Sequence, residues 1–143
     1  MKPIFSHVMV GANDLARMIA FYDAALAPLG LVRGHTVLEP GGPDRPGAAW
    51  TRPGASFPEF IVQMPWDERP ATVGNGVQIS FLTRSRTVVD AAYAAAKAAG
   101  ASDEGPPGER PLYSAGYYGA YCRDPEGNKI HFVHRPGFEA AFD

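Results

Sequence analysis

An internal repeat with an offset of 71 to 72 residues limits the possible folds of this chain more than any other feature of its sequence. Three matched pairs define the offset: His7 and Gln78, Tyr22 and Tyr93, and Glu59 and His131. The members of each pair occupy equivalent places in the strands and helices predicted for the two halves. Because identity between the halves is low, the repeat is one of pattern, as expected of a duplicated structural unit.

The first half predicts a strand, a helix and three further strands. Residues 4–10 are apolar and β-branched around one histidine, which is typical of a strand. Asn13 or Asp14 can cap a helix whose apolar residues recur at spacings of three and four, and this helix should end before Pro28 and Gly30. The remaining strands are predicted at 31–38, 48–52 and 57–64, with Gly and Pro in the turns between them.

The second half begins the same order again after a linker without periodic pattern. A strand over 76–83 precedes a helix that Ser85 caps and Gly100 stops. Residues 102–109 are rich in Gly and Pro and are predicted as a loop. The last two strands are predicted at 117–123 and 129–134, joined by a tight turn at 124–128.

These elements predict an α+β fold in which two tandem βαβββ modules form a curved mixed β-sheet cleft. We expect a single domain over residues 1–143. Its parts are module 1 at about 1–65, a linker at 66–74, module 2 at about 75–135 and a tail at 136–143.

Composition excludes several classes of protein. Hydrophobic residues make up 45% of the 143, which is enough for a packed core. The net charge of −2 without a basic patch argues against a nucleic-acid partner, and the sequence contains no apolar run of the roughly 18 residues that would span a membrane. The single cysteine, Cys122, and an N-terminus unlike a signal peptide predict a cytoplasmic protein.

Four coordinating side chains interrupt otherwise apolar strands at repeat-related positions: His7, Glu59, Gln78 and His131. If the modules pack about a pseudo-twofold axis, these side chains should converge on one cavity. Two imidazoles, a carboxylate and an amide oxygen suit a divalent metal such as Zn, Ni, Fe, Co or Mn. The alternatives are that Glu59 faces solvent, that Gln78 bonds to backbone, or that the cavity holds water.

The chain resembles the vicinal oxygen chelate superfamily, which includes glyoxalases, bleomycin-resistance proteins and dioxygenases. The resemblance lies in the strand with His7 and in segments 13–15, 21–26, 29–31, 104–113 and 124–130. It covers nearly the whole chain, and the order and spacing of these segments are more specific than any one of them.

The resemblance implies one metal ligand from each of the four positions named above. His7, Glu59 and Gln78 match the residue types usual in the superfamily, whereas His131 stands where glutamate is usual. Glu59 and His131 are the implied catalytic residues, since that last position is implicated in proton transfer in glyoxalase-like members. Imidazole can move protons near neutral pH but brings no negative charge to the metal.

The resemblance also implies a small-molecule ligand and a homodimer. Arg110, Tyr113, Tyr117 and Trp50 are the candidate substrate-binding residues, although packing in edge strands or in the core would explain them equally well. A divalent-metal-dependent lyase or isomerase acting on vicinal oxygens is one predicted function, and a dioxygenase-like activity uses the same scaffold. The alternative is a non-catalytic, antibiotic-type binding protein without a metal.

Overall fold

A computed structural model describes residues 5–142 of the chain. It confirms the two βαβββ modules. The predicted start of the first strand at Ile4 lies outside the described residues. The strands and helices are β1 (His7–Gly11), α1 (Leu15–Leu26), β2 (Val32–Val37), β3 (Gly47–Thr51), β4 (Glu59–Gln63), β5 (Ile79–Leu82), α2 (Arg86–Ala98), β6 (Ser102–Glu109), β7 (Tyr118–Arg123) and β8 (Lys129–His134). Short 3-10 turns follow at Ala27–Leu29 and Glu139–Phe142.

Each module folds into its own four-stranded mixed sheet. The strand order is β1-β4-β3-β2 in the first sheet and β5-β8-β7-β6 in the second, so the two sheets have the same topology. In both sheets the first and last strands of the module pair in parallel and the other neighbours pair antiparallel. The duplication inferred from the offset is therefore a duplication of complete sheets.

The predicted signals at the helix ends are present in the structure. The Asp14 side chain accepts a hydrogen bond from the backbone N–H of Arg17 (3.0 Å) and begins α1. Gly30 adopts a left-handed conformation, with φ at 76°, after the 3-10 turn that extends α1. Ser85 caps α2 through the N–H of Val88 (3.3 Å). These contacts satisfy backbone donors that a helix leaves unpaired in its first turn.

The prediction of a loop over 102–109 was wrong, because these residues form strand β6 at the edge of the second sheet. Its register with β7 shifts between Asp103 and Gly105 and again between Gly105 and Gly108. Pro106 and Pro107 lie within the second shift. A proline cannot donate a hydrogen bond to a neighbouring strand, so an irregular edge strand is the place where a sheet accommodates it.

The modules share one hydrophobic core between the sheets and their helices. Helices α1 and α2 contact each other, and α2 also packs on β7 and β8. The rings of Phe60 in β4 and Phe81 in β5 meet edge to face with centroids 5.2 Å apart, which joins the two modules. No helix within residues 5–142 has the length and apolar character needed to cross a membrane.

The turn before β8 fastens the second module to the start of α1. The Glu126 carboxylate accepts hydrogen bonds from the backbone N–H groups of Asn13 (2.7 Å) and Asp14 (2.9 Å). The Tyr22 hydroxyl donates to the buried carboxylate of Asp124 (2.7 Å). A carboxylate at a helix N-terminus is favourable because the free N–H groups there carry partial positive charge.

Candidate functional site

His7 and Glu59 lie side by side on the first sheet. They are register partners on the parallel strands β1 and β4, so their side chains leave the same face. His7 is exposed and Glu59 is half-buried. The Ser6 hydroxyl lies 2.8 Å from Nδ1 of His7. One module therefore presents an imidazole and a carboxylate together.

Gln78 and His131 also lie near each other, but Ser80 links them. Gln78 precedes β5, and the residue that stands opposite His131 in the parallel register is Ser80. Nε2 of Gln78 donates to Oγ of Ser80 (3.2 Å), which lies 3.0 Å from Nδ1 of His131. With the Ser80 oxygen accepting from Gln78, its hydroxyl is free to donate to Nδ1. The proton of the neutral His131 ring then belongs on Nε2.

His131 occupies a slot between two tyrosine rings. The Tyr121 ring is parallel to the imidazole within 1°, with centroids 4.1 Å apart, and the Tyr117 ring stacks on it at 5.9 Å. Gly119 forms the floor of the slot, because a Cβ built on it would come within 2.5 Å of Nε2 of His131. As a result His131 is 1% exposed, and its Nε2 is buried without a hydrogen-bond partner in the described part of the chain.

The charge state of His131 follows from this environment. Burial, and to a smaller extent the positive charges of Arg110 and Lys129, lowers the pKa of its imidazole from 6.5 to about 4. The ring is therefore neutral at physiological pH.

Stability should depend on pH through His131. Between pH 4 and 6.5 the unfolded chain binds a proton at this position that the folded chain does not, so the free energy of unfolding should fall as pH falls through that window. We expect a loss of about 2 kcal/mol between pH 7 and pH 5. Urea unfolding at both pH values should show this loss in the native chain and in His35→Gln, whose ring is exposed. An equal loss in His131→Gln would contradict the assignment.

The four predicted metal ligands do not form a metal-binding group within one chain. No set of three or more His, Cys, Asp or Glu side chains among residues 5–142 is placed to hold a metal ion. His131 is a poor donor in this arrangement, since Nδ1 lies beside Ser80 and Nε2 is enclosed against Gly119. The superfamily's metal therefore does not fit the residues that one chain brings together.

A pocket of about 350 Å³ opens above the tyrosines on the second sheet. Its lining residues are Gln78, Glu104, Tyr113, Tyr117, Tyr121 and Lys129. Burial, together with the neighbouring Tyr117 and Tyr113, raises the pKa of Tyr121 to about 12, so its phenol remains protonated. A larger groove of about 500 Å³ runs along β1 and the segment with Trp66, but none of the candidate site residues line it. We take the smaller pocket as the candidate site for that reason.

The structure places two of the four predicted substrate-binding residues in the lining of this pocket, and a third, Arg110, next to a ring that lines it. Tyr113 and Tyr117 line it, with ring centroids 5.0 Å apart, and the Arg110 guanidinium lies over the Tyr121 ring. Trp50 is instead 1% exposed in the core, where its indole N–H donates to Asp23 (3.0 Å). It packs against the α1 side of the first sheet because its indole fills space next to Tyr22 and Phe60.

Sequence analysis missed Ser80, Tyr121 and Lys129. Alternation along β7 and β8 would have placed Tyr121 with Tyr117, and Lys129 with His131, because residues two apart share a face of a strand. Ser80 stands two residues after Gln78 and would have followed in the same way. The repeat identifies matched positions and gives no information about the residues beside them.

Comparison with known proteins agrees with this architecture. The model of the Glyoxalase/Bleomycin resistance protein/Dioxygenase superfamily matches residues 4–132. A glyoxalase/bleomycin resistance protein from Albidiferax ferrireducens T118 is 40% identical, with a TM-score of 0.76 over 94% of this chain and 100% of that one. No curated protein matches the sequence.

More distant solved structures share the fold alone. A lactoylglutathione lyase from Agrobacterium tumefaciens is 21% identical over 94% of each chain, with a TM-score of 0.63. A member of the same superfamily from Sphaerobacter thermophilus DSM 20745 is 22% identical over 94% of this chain and 99% of that one, with a TM-score of 0.62.

Proposed function

Because this chain belongs to the glyoxalase/bleomycin resistance protein/dioxygenase superfamily, we propose that it binds a small organic molecule, without a metal, in the pocket of its second module. The observation that carries the proposal is the convergence of Tyr113, Tyr117 and Tyr121 on a cavity of about 350 Å³. Ligand sites are typically concave and aromatic, with a few polar groups that fix orientation, and this volume lies at the lower end of their range. Tyrosine side chains supply both properties, since each has an apolar ring and a hydroxyl donor.

The proposal predicts that small aromatic probes perturb this pocket. Phenol, benzamide and benzoate, titrated separately, should shift the NMR ring resonances of the three tyrosines for at least one probe. Tyr117→Ala should lower the affinity for that probe about 10-fold, because the substitution removes one wall of the pocket. Trp66→Ala is the matched control, since Trp66 lines the other groove. Shifts confined to the neighbourhood of Trp66 would show that the pocket is not the binding site.

The second candidate function is a metal-dependent lyase or isomerase. The observation that favours it is the pairing of His7 with Glu59 on one exposed sheet face. Two donors are too few for a stable divalent site, so this candidate needs Gln78 and His131 from another sheet. Glu59 and His131 would then be the groups that move protons.

A second copy of the chain is the candidate source of those donors. In each sheet, large apolar side chains are exposed near the edge formed by the first strand, which is β1 in one sheet and β5 in the other. These side chains are Val8, Met9, Phe57 and Val77. Covering such a surface with its copy would remove apolar area from water, and a homodimer is therefore part of this second proposal. Sedimentation should give twice the mass of the chain, and Met9→Lys should reduce that mass to one chain.

Metal titration separates the two functions. Zn, Ni, Mn and Fe(II) should be titrated into metal-stripped native chain and into His7→Ala and Glu59→Gln variants. The metal-independent proposal expects no difference among the three proteins. Binding to the native chain that either substitution weakens about 10-fold or more would overturn that proposal in favour of the metal-dependent one.

A further inference from the structure

Two cations lie over one ring of the pocket. The Lys129 ammonium is 5.3 Å from the ring centroid of Tyr121, and the Arg110 guanidinium is 5.7 Å from the same centroid. His131 stacks on that ring at 4.1 Å, in parallel planes. Lys129 also lines the pocket, and Arg110 contacts the pocket through the Tyr121 ring.

The protein supplies little negative charge to offset them. Among the described residues, neither Arg110 nor Lys129 lies within ion-pair distance of a carboxylate. Glu104 is the one carboxylate that lines the pocket, and it bonds to the guanidinium of Arg123. Arg110 is held instead by backbone carbonyls, including that of Pro106 (2.8 Å). The Tyr121 ring therefore has two cations beside it, one of which lines the pocket, and neither is paired with a carboxylate of the described residues.

We propose that the pocket selects an aromatic carboxylate, whose anionic group lies between Lys129 and Arg110 and whose ring contacts Tyr113 and Tyr117. The inference rests on the proposed binding at this pocket and names the ligand class. A carboxylate placed there would supply the counter-ion that both cations lack among the described residues and form charge-assisted hydrogen bonds. The ring would cover Tyr113, which is 61% exposed and has an apolar face to bury.

The uncharged groups of the pocket suit the same ligand. The Tyr121 hydroxyl remains protonated, and tyrosine hydroxyls can donate to carboxylate oxygens. Gln78 uses its amide N–H on Ser80, which leaves its carbonyl oxygen to accept a hydrogen bond from a ring hydroxyl on the ligand. The hydroxyl donors therefore suit a carboxylate. An ammonium compound is disfavoured, because Lys129 and Arg110 would repel a positive ligand.

The experiment compares benzoate with two probes that each lack one feature. Benzamide keeps the ring without the charge, and acetate keeps the charge without the ring. Calorimetry should show benzoate binding the native chain about 10-fold more tightly than either probe, with affinity falling as salt is added.

Charge variants test the placement of the carboxylate. Lys129→Met should lower the affinity for benzoate about 10-fold, whereas Lys129→Arg should keep most of the native affinity. Arg110→Gln should lower the affinity to a similar extent as Lys129→Met. Lys97→Met is the matched control, because Lys97 lies in the last turn of α2 and not in the pocket. The Arg110 variant keeps the test informative if Lys129→Met fails to fold.

Several outcomes would overturn the inference. The inference fails if the native chain binds benzoate no more tightly than benzamide, or no more tightly than acetate. It also fails if Lys129→Met and Lys97→Met lower the affinity for benzoate equally. If neutral aromatic probes shift the tyrosine resonances while benzoate does not, binding at the pocket stands and the carboxylate inference fails. If no probe shifts them, the proposed function fails with it.

Discussion

Asp124→Ala should lower the free energy of unfolding by about 4 kcal/mol, the largest effect that we expect from a single substitution in this chain. The Asp124 side chain is 3% exposed and lies where the last turn meets α1. Its carboxylate accepts hydrogen bonds from the Tyr22 hydroxyl (2.7 Å), the Glu126 backbone N–H (2.9 Å), and both the backbone N–H (3.0 Å) and the side-chain amide (2.8 Å) of Asn128.

The size of the effect comes from the donors that would be left behind. Alanine removes the shared acceptor, and the buried Tyr22 hydroxyl then loses its partner inside the core, 102 residues away in sequence. Each buried polar group without a partner costs about 1 to 3 kcal/mol. The turn that presents Glu126 to the N-terminus of α1 would also lose three of the bonds that hold its shape, so the contact between the modules should weaken as well.

Urea unfolding monitored by circular dichroism measures this prediction. Tyr22→Phe removes one donor and leaves the carboxylate with its other partners, so it should cost about 1.5 kcal/mol. Asp67→Ala is the control, because Asp67 is exposed and should change stability by less than about 0.5 kcal/mol. If Asp124→Ala cost no more than Tyr22→Phe, the remaining bonds of the carboxylate would be contributing nothing to stability.

The fold could be predicted because its signals are local and occur twice. The caps at Asp14 and Ser85, the apolar spacing along α1 and the tight turn before β8 each lie within a few residues of the element that they define. Strand β6 was missed because its pairing with β7 depends on a neighbouring strand, and that strand overrides the preference of Gly105, Pro106 and Pro107 for loops.

The candidate site was less predictable because it depends on register and on side-chain orientation. The repeat drew attention to Glu59 and His131, but an offset cannot tell whether Gln78 or Ser80 faces His131. Nor does it show that a glycine two residues before Tyr121 allows the imidazole to lie flat beneath the ring. The burial of His131, and hence its low pKa, follows from that packing and not from the residue types.

Gly119→Ala should destabilise the fold by about 3 kcal/mol, because the slot that holds His131 has no space for a methyl group. The new Cβ would come within 2.5 Å of Nε2 of His131 and 3.3 Å of the backbone oxygen of Phe132. His131 cannot simply turn away, since Tyr121 and Tyr117 stack on its two sides. Relief therefore requires the stack to open or β7 to shift, and either change loses packing on the pocket side of the sheet.

A double-mutant cycle assigns that cost to the slot. His131→Ala removes the ring that the new methyl group would strike. The double variant should therefore lose about 2 kcal/mol less free energy of unfolding than the two single variants lose in sum. Gly34→Ala is the control, because Gly34 also lies in a strand but has no atoms within 4 Å of an added Cβ. It should leave stability unchanged or slightly raised, since alanine reduces the conformational freedom of the unfolded chain. Additive effects at positions 119 and 131 would instead show that Gly119 is required by the strand itself. The glycine would then have no part in enclosing the histidine beneath the tyrosines that form the pocket.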